Sequence, residues 1–209
     1  MPSNPAFDST PLPRLVLASS SPYRKLLLER LRLPFVTVAP AIDETPKPDE
    51  APLNLVRRLA ETKARAVQPI YPEALIIGSD QVAVCSGKIL GKSRNLDTAK
   101  AQLAAIRGRQ VEFITGLCLL NAKTGALQVD AVPYTVSVRH LTLQQIACYL
   151  AAEQPFDCAG SFKSEGLGIA LFSKLEGEDP TSLVGLPLIR LVRMLQEERI
   201  DVLLPGAGG

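Results

Sequence analysis

The stretch LVLASSSPYRKLLLE, Leu15 to Glu29, constrains the fold more than any other. An apolar, strand-like run stops at three serines and a proline, then restarts at helical spacing behind an aromatic and two cations. A strand feeding straight into a helix is half of a βα unit, and the chain repeats the alternation. Leu15–Ala18 and Phe35–Ala39 read as strands; Pro22–Leu31 and Leu53–Val67 read as helices, the second with apolar residues at 55, 56, 59, 60 and 64. Leu75–Ile77 and Gln81–Cys85 are short β-rich runs, and the Ser-Gly pair at 86 and 87 turns the second back on itself as a hairpin. Leu96–Ile106 is helical. Val111–Leu120, Leu127–Val132 and Tyr134–Arg139 make a meander, with Lys-Thr-Gly at 123–125 as one turn. Leu143–Ala152 and Pro187–Glu198 are the last helices, Pro187 suiting a first turn. Helices interleaved with strands and antiparallel hairpins imply an α/β domain around a mixed, twisted sheet flanked by helices.

With 209 residues, 46% of them hydrophobic, one substantial core is available, and no linker divides the chain. Residues 14–209 are therefore expected to form a single domain. The first thirteen residues, with four prolines and no apolar run, are expected to be a disordered lead. No segment approaches the roughly 18 apolar residues of a membrane span, so a soluble, cytoplasmic protein is expected, with no membrane partner. The 23 basic and 21 acidic residues are dispersed, which argues against a nucleic-acid groove. Cys85, Cys118, Cys148 and Cys158 are too far apart for a CxxC pair and read as reduced core thiols. His140 is the only histidine, so a zinc site built on two imidazoles is excluded.

The opening stretch has the chemistry of an anion site. Ser21 stands where an N-cap belongs, Pro22 fits the first helical position, and the following backbone N–H groups have no intrahelical partner. Such a terminus attracts phosphate. Arg24 adds a fork of donors, and Ser19 and Ser21 add hydroxyls. A plain N-cap on a surface helix would use the same Ser21. A second stretch, SGKILGKS at 86–93, resembles a phosphate loop, but three residues rather than four separate its two glycines and KIL reads as a strand. GLGIAL at 166–171 likewise lacks the last glycine of a dinucleotide fingerprint.

Charged residues stand at element ends. Asp43 and Glu44 follow a strand and a loop, and Asp80 sits between two apolar runs. Burying an unpaired carboxylate is costly, so an acid at the mouth of a buried strand has a partner or a task. Two carboxylates suit a hard cation such as Mg²⁺, with Lys63 and Lys92 meeting the remaining phosphate charge. Local salt bridges would explain each of these residues singly.

Seven ordered motifs then carry a resemblance: ASSSPYRKLLL, DET at 43–45, ETKA at 61–64, GSDQV at 78–82, GK at 91–92, AGSFKSEGLG at 159–168 and LVGLPL at 183–188. Together, from residue 14 to about 198, they resemble the Maf-like nucleoside triphosphate pyrophosphatases. The resemblance implies a two-lobed α/β fold around a deep cleft, similar to that of the inosine triphosphate pyrophosphatases. It also implies cleavage of a nucleotide between its α and β phosphates, a divalent metal (Mg²⁺, Mn²⁺ or Co²⁺) and a homodimer. It assigns Ser19, Ser21, Arg24, Lys63 and Lys92 to the phosphates, and Glu44 and Asp80 to metal and water, with Asp80 as the catalytic base.

One position departs from the family turn S-x-S-P-R-R: Tyr23 replaces its first arginine. This exchange, with GSDQV and SFKSEG, resembles the 7-methyl-GTP pyrophosphatase branch. A 7-methylguanine base is cationic, so an aromatic face attracts it where an arginine repels it. Glu165 can accept hydrogen bonds from the guanine edge, and Gln81 can read another polar edge. Two classes of function follow: a metal-dependent pyrophosphatase acting on 7-methyl-GTP or another nucleotide, or a catalytically idle nucleotide-binding regulator of cell division. Asp80 and both lysines favour the enzyme.

Overall fold

A computed structural model describes residues 13–204. Strands β1 (Leu15–Ala18), β2 (Phe35–Val38) and β3 (Leu75–Cys85) are parallel, with β1 between the other two. Beyond β3 the sheet turns antiparallel through β5 (Gln110–Asn121), β6 (Leu127–Val138) and β7 (Phe172–Gly177), while β4 (Lys88–Leu90) folds back on the end of β3. The seven strands make one mixed sheet, flanked by α1 (Pro22–Glu29), α2 (Pro52–Val67), α3 (Leu96–Ile106), α4 (Leu143–Glu153) and α5 (Leu188–Glu197). The α/β class expected from the alternation is the class observed. The lead expected at residues 1–13 falls, except for Pro13, outside the described residues.

Alternate residues of β1 serve opposite faces. Leu15 and Leu17 pack with Leu27 and Leu28 of α1 and Leu191 and Leu195 of α5. Val16 and Ala18 pack with Ala60 and Ala64 of α2. Helices α1 and α2 therefore cover opposite faces, and the chain leaves β1 toward β2 on one side and returns to β3 on the other. Ligands of open α/β sheets lodge in the crevice at such a reversal, outside the carboxyl ends of the strands. Ser19 begins that crevice. A second core, with Leu103 and Ile106 of α3 and Ile146 and Leu150 of α4, forms over the far ends of β3, β5 and β6 around Phe113 and Val136. The same long strands run through both cores, and the crevice opens between them.

Helix α2 lies unusually close to the sheet. A Cβ on Gly78 would come within 2.0 Å of the Ala60 carbonyl oxygen, and one on Gly116 within 2.2 Å of the Val56 carbonyl oxygen. Gly116 is the ladder partner of Asp80. Two glycines thus let α2 descend onto β3 and β5 beside the acid.

The structure corrects several boundaries. The two β-runs at 75–77 and 81–85 are one strand, β3, because Ser79 and Asp80 find polar partners without leaving the ladder with β5. The runs on either side of Pro133 are likewise one strand, β6. Pairing with β7 begins only at Tyr134, so the proline stands where β6 is still an edge and the missing N–H is tolerated. Helix α1 ends at Glu29, two residues early, and Arg32 adopts a φ of 56°. Pro187 is the N-cap of α5 rather than part of its first turn. Strand β7 was not foreseen, because a mostly exposed edge strand with Lys174 and Glu176 has no apolar alternation to reveal it. The hairpin at Ser86-Gly87 is present, both residues having positive φ, and KIL is strand β4 as expected.

Candidate active site

The crevice is a cavity of about 660 Å³, within the range of about 300–1,000 Å³ usual for small-molecule sites. Ten of the residues singled out above line it, Ser19, Ser21, Tyr23, Arg24, Glu44, Lys63, Asp80, Gln81, Lys92 and Glu165, while Asp43 does not. Sequence separations of more than a hundred residues close into one pocket.

At its floor the Ser-rich turn takes the shape predicted for an anion site. The Ser21 hydroxyl accepts from the Arg24 N–H at 3.4 Å, and the Ser19 hydroxyl accepts from the Ser21 N–H at 3.1 Å. The Arg24 guanidinium donates through Nε to the Gly185 carbonyl at 2.8 Å and through Nη1 to Ser19 Oγ at 3.4 Å. Burial lowers the pKa of Arg24, opposed by the charges of Asp80 and Glu44; an arginine stays charged regardless.

Lys63 reaches down from α2 with only 5% of its surface exposed. Its ammonium lies 2.5 Å from Asp80 Oδ1 and 2.7 Å from Glu44 Oε1. Among the described residues, Asp80 Oδ2 and Glu44 Oε2 make no hydrogen bond. Burial tends to raise the Glu44 pKa, but the bond and charge of Lys63, with the charges of Lys92 and Arg24, lower it below the usual carboxylate value. Glu44 is presented by a braced loop: Asp43 accepts from the N–H and hydroxyl of Thr45, and Arg58 of α2 ties Glu50 and the Thr45 carbonyl. Asp43 is thus a loop former rather than a second ligand.

Lys92 stands on the opposite wall, where its backbone pairs with Ala159 and the Arg94 N–H donates to the Phe156 carbonyl at 2.9 Å. These bonds fix the segment carrying Asp157 and Cys158. Glu165 follows on a loop held to α4 by the Glu153 carboxylate, which accepts from the Leu167 N–H at 2.8 Å. Tyr23 faces this wall, with the Cys158 thiol beside its hydroxyl. Burial first, then the charges of Cys158 and Asp157, raise the Tyr23 pKa, so the ring is a neutral phenol at physiological pH. Gln81 points its amide nitrogen to Thr115 Oγ1 and the Ser182 and Leu183 carbonyls at 2.7–3.1 Å. Its carbonyl oxygen makes no hydrogen bond among the described residues.

Several contributors escaped the sequence reading. Asp179, 2% exposed, accepts from the N–H and hydroxyl of Thr181 and from the Ile189 N–H, and so knots the segment before α5. Ser79 then donates to the Gly185 carbonyl that Arg24 also uses. Asp-Pro-Thr-Ser at 179–182 carries the signal of a side-chain cap, which could have marked it. The thiols are not all core: Cys85 and Cys118 are buried, Cys148 is exposed and Cys158 lines the cavity. His140 packs its ring against Gly108 and does not line the cavity.

The residues present fit a divalent cation. Glu44 and Asp80 already converge on one positive charge, and each keeps an oxygen to spare. Among the described residues no group of three His, Cys, Asp or Glu side chains could cage a metal alone, so phosphate and water oxygens would complete the shell, as Mg²⁺ prefers.

The fold and the cleft define an α/β protein with a crevice, at the reversal of its sheet, lined by hydroxyls, cations and acids. More particularly, the chain belongs to the family described as Maf-like protein, whose model matches residues 14–198. It is 57% identical over 188 residues to a protein of Pseudomonas fluorescens named 7-methyl-GTP pyrophosphatase, covering 90% of this chain and 98% of that one. Proteins of the same name from Pseudomonas savastanoi and Nitrosococcus oceani are 59% and 58% identical over 191 residues, covering 91% of this chain and 100% and 96% of theirs. The structure of the Staphylococcus aureus Ham1 protein aligns with a TM-score of 0.49 at 11% identity, over 89% of this chain and 99% of that one. Among the described residues no helix is long and apolar enough to cross a membrane.

Proposed function

We propose that this protein hydrolyses the α–β phosphoanhydride bond of 7-methyl-GTP, giving 7-methyl-GMP and pyrophosphate, with a divalent metal held by Glu44 and Asp80. The observation that carries this reading is the polarity of one cavity. Cations and the Ser-rich turn surround Asp80 at one end, and an aromatic ring with carboxylates stands at the other. The names of the relatives support the same substrate.

The phosphates lie against the N–H groups at the start of α1, with Arg24, Lys63 and Lys92 meeting their charge. Lys63 holds Asp80 by Oδ1 and leaves Oδ2 to accept a proton from water. As the water oxygen bonds to the α-phosphorus, the bridging oxygen departs with pyrophosphate. Lys92 and Arg24 stabilise the charge that develops there. When bound, the metal would neutralise phosphate charge and lower the pKa of the attacking water. Tyr23 stacks on the cationic base, and Glu165 accepts from the guanine edge.

A panel of 7-methyl-GTP, GTP, UTP and dTTP, each with Mg²⁺, Mn²⁺ or Co²⁺, tests the reading by pyrophosphate release. The expected result is metal-stimulated release with 7-methyl-GTP the best substrate by kcat/KM. Nucleotide that binds without any release would leave the idle regulator standing instead.

A further inference from the structure

Glu44 and Asp80, the carboxylates at the phosphate end of the cleft, are paired with Lys63. At the other end the situation is reversed. Asp157 and Glu165 both line the cavity, and among the described residues neither forms an ion pair. Lys163, whose charge reaches Cys158, donates to the Glu153 carbonyl at 3.3 Å.

Asp157 is held in place on both sides. Its Oδ1 accepts from the Cys158 thiol at 3.6 Å, and that thiol lies beside the Tyr23 hydroxyl. Backbone bonds at Phe156 and Ala159 lock the segment to residues 92–94. The charges of Asp157 and Glu165 are both felt at Tyr23. An aromatic face flanked by two carboxylates that form no ion pair among the described residues attracts a cation through the ring quadrupole and through simple charge.

We propose that Asp157 is a further specificity-determining residue, which with Glu165 makes the Tyr23 end of the cleft an anionic pocket for a positively charged nucleobase. The proposal rests on the reading of the cleft as a nucleotide pyrophosphatase site and adds to it the source of charge selection. Glu165 serves charged and neutral guanine alike through hydrogen bonds, whereas Asp157 contributes charge alone. Their substitutions are therefore separable.

The test is Asp157→Asn, assayed for kcat and KM on 7-methyl-GTP and GTP, and by calorimetry for binding of 7-methyl-GMP and GMP. Asp157 is exposed, so the loss expected for the methylated ligands is no more than about fivefold, carried by KM, with a smaller change for the unmethylated ones. Asp157→Glu should restore the preference. Equal losses on both bases, or no loss on either, would overturn the proposal. If neither triphosphate is hydrolysed by the wild type, the pyrophosphatase reading falls, while the monophosphate titrations still decide the charge pocket. Should Asp157→Asn misfold, adding salt to the wild type supplies the same comparison: the 7-methyl preference must shrink as ionic strength rises, and a preference unmoved by salt overturns the proposal.

Discussion

Lys63 Nζ lies 2.5 Å from Asp80 Oδ1, with both side chains almost wholly out of solvent. The pair joins helix α2 to strand β3 at the point where the reaction is proposed to occur. It satisfies one acid oxygen and leaves the other to water.

Asp80→Asn keeps the shape and removes the proposed base. Turnover on 7-methyl-GTP should fall about 100-fold or more, the usual scale for general-base catalysis, with little change in melting temperature because Lys63 retains Glu44. Pyrophosphate release and thermal melts measure the two effects. Near-normal turnover would transfer the role of base to Glu44.

Lys63→Met should behave differently. It strands the Asp80 carboxylate in a site that is only 8% exposed, and breaking a buried pair from one side costs about 3–5 kcal/mol. Urea unfolding reads this directly. A loss below about 1 kcal/mol, the scale of a surface pair, would mean that water compensates Asp80.

Tyr23→Arg replaces attraction by repulsion only for a cationic base. A desolvated cation–π contact is worth about 2 kcal/mol, or roughly 25-fold, so 7-methyl-GTP should lose at least that factor in kcat/KM while GTP loses far less. Parallel losses on the two nucleotides would remove Tyr23 from base selection.

Gly78→Ala places a methyl group 2.0 Å from the Ala60 carbonyl oxygen, and neither backbone can yield without lifting α2. Destabilisation of about 1–3 kcal/mol is expected from overpacking, accompanied by a fall in kcat as Lys63 moves away from Asp80. Full activity with a lowered melting temperature would uncouple helix seating from catalysis.

The Cys158 thiol is pushed up to about 12 by burial and then by the Asp157 charge. Only about one molecule in ten thousand carries the thiolate at pH 8, so iodoacetamide should mark exposed Cys148 well before Cys158. Labelling of Cys158 should climb about tenfold per pH unit and accelerate in Asp157→Asn, where the charge that disfavours the thiolate is gone. Peptide mass spectrometry follows each site; equal rates at Cys148 and Cys158 would contradict the burial argument.

The parts of this molecule that were legible in its sequence are those whose chemistry is local. Ser21 and Pro22 announce a helix start by themselves, and an acid between apolar runs at Asp80 announces a partner. Continuity of β3 was not legible, because Gly-Ser-Asp breaks an apolar run and only distant groups, Lys63 and the Gly185 carbonyl, make the polar residues tolerable there. Asp157 and Cys158 were invisible for the same reason: their meaning comes from Tyr23, 134 and 135 positions earlier in the numbering of the chain. The edge strand β7, nearly all exposed, had no apolar period to show.

The bond from Arg24 to the Gly185 carbonyl spans 161 positions of sequence. The guanidinium proposed to meet the phosphates is thus aimed by a segment synthesised long after it. A chain emerging from the ribosome has its serine turn, its first helix and both lysines long before it has Gly185. The proposed phosphate site is therefore completed late, when the segment knotted by Asp179 docks, rather than as its first residues emerge.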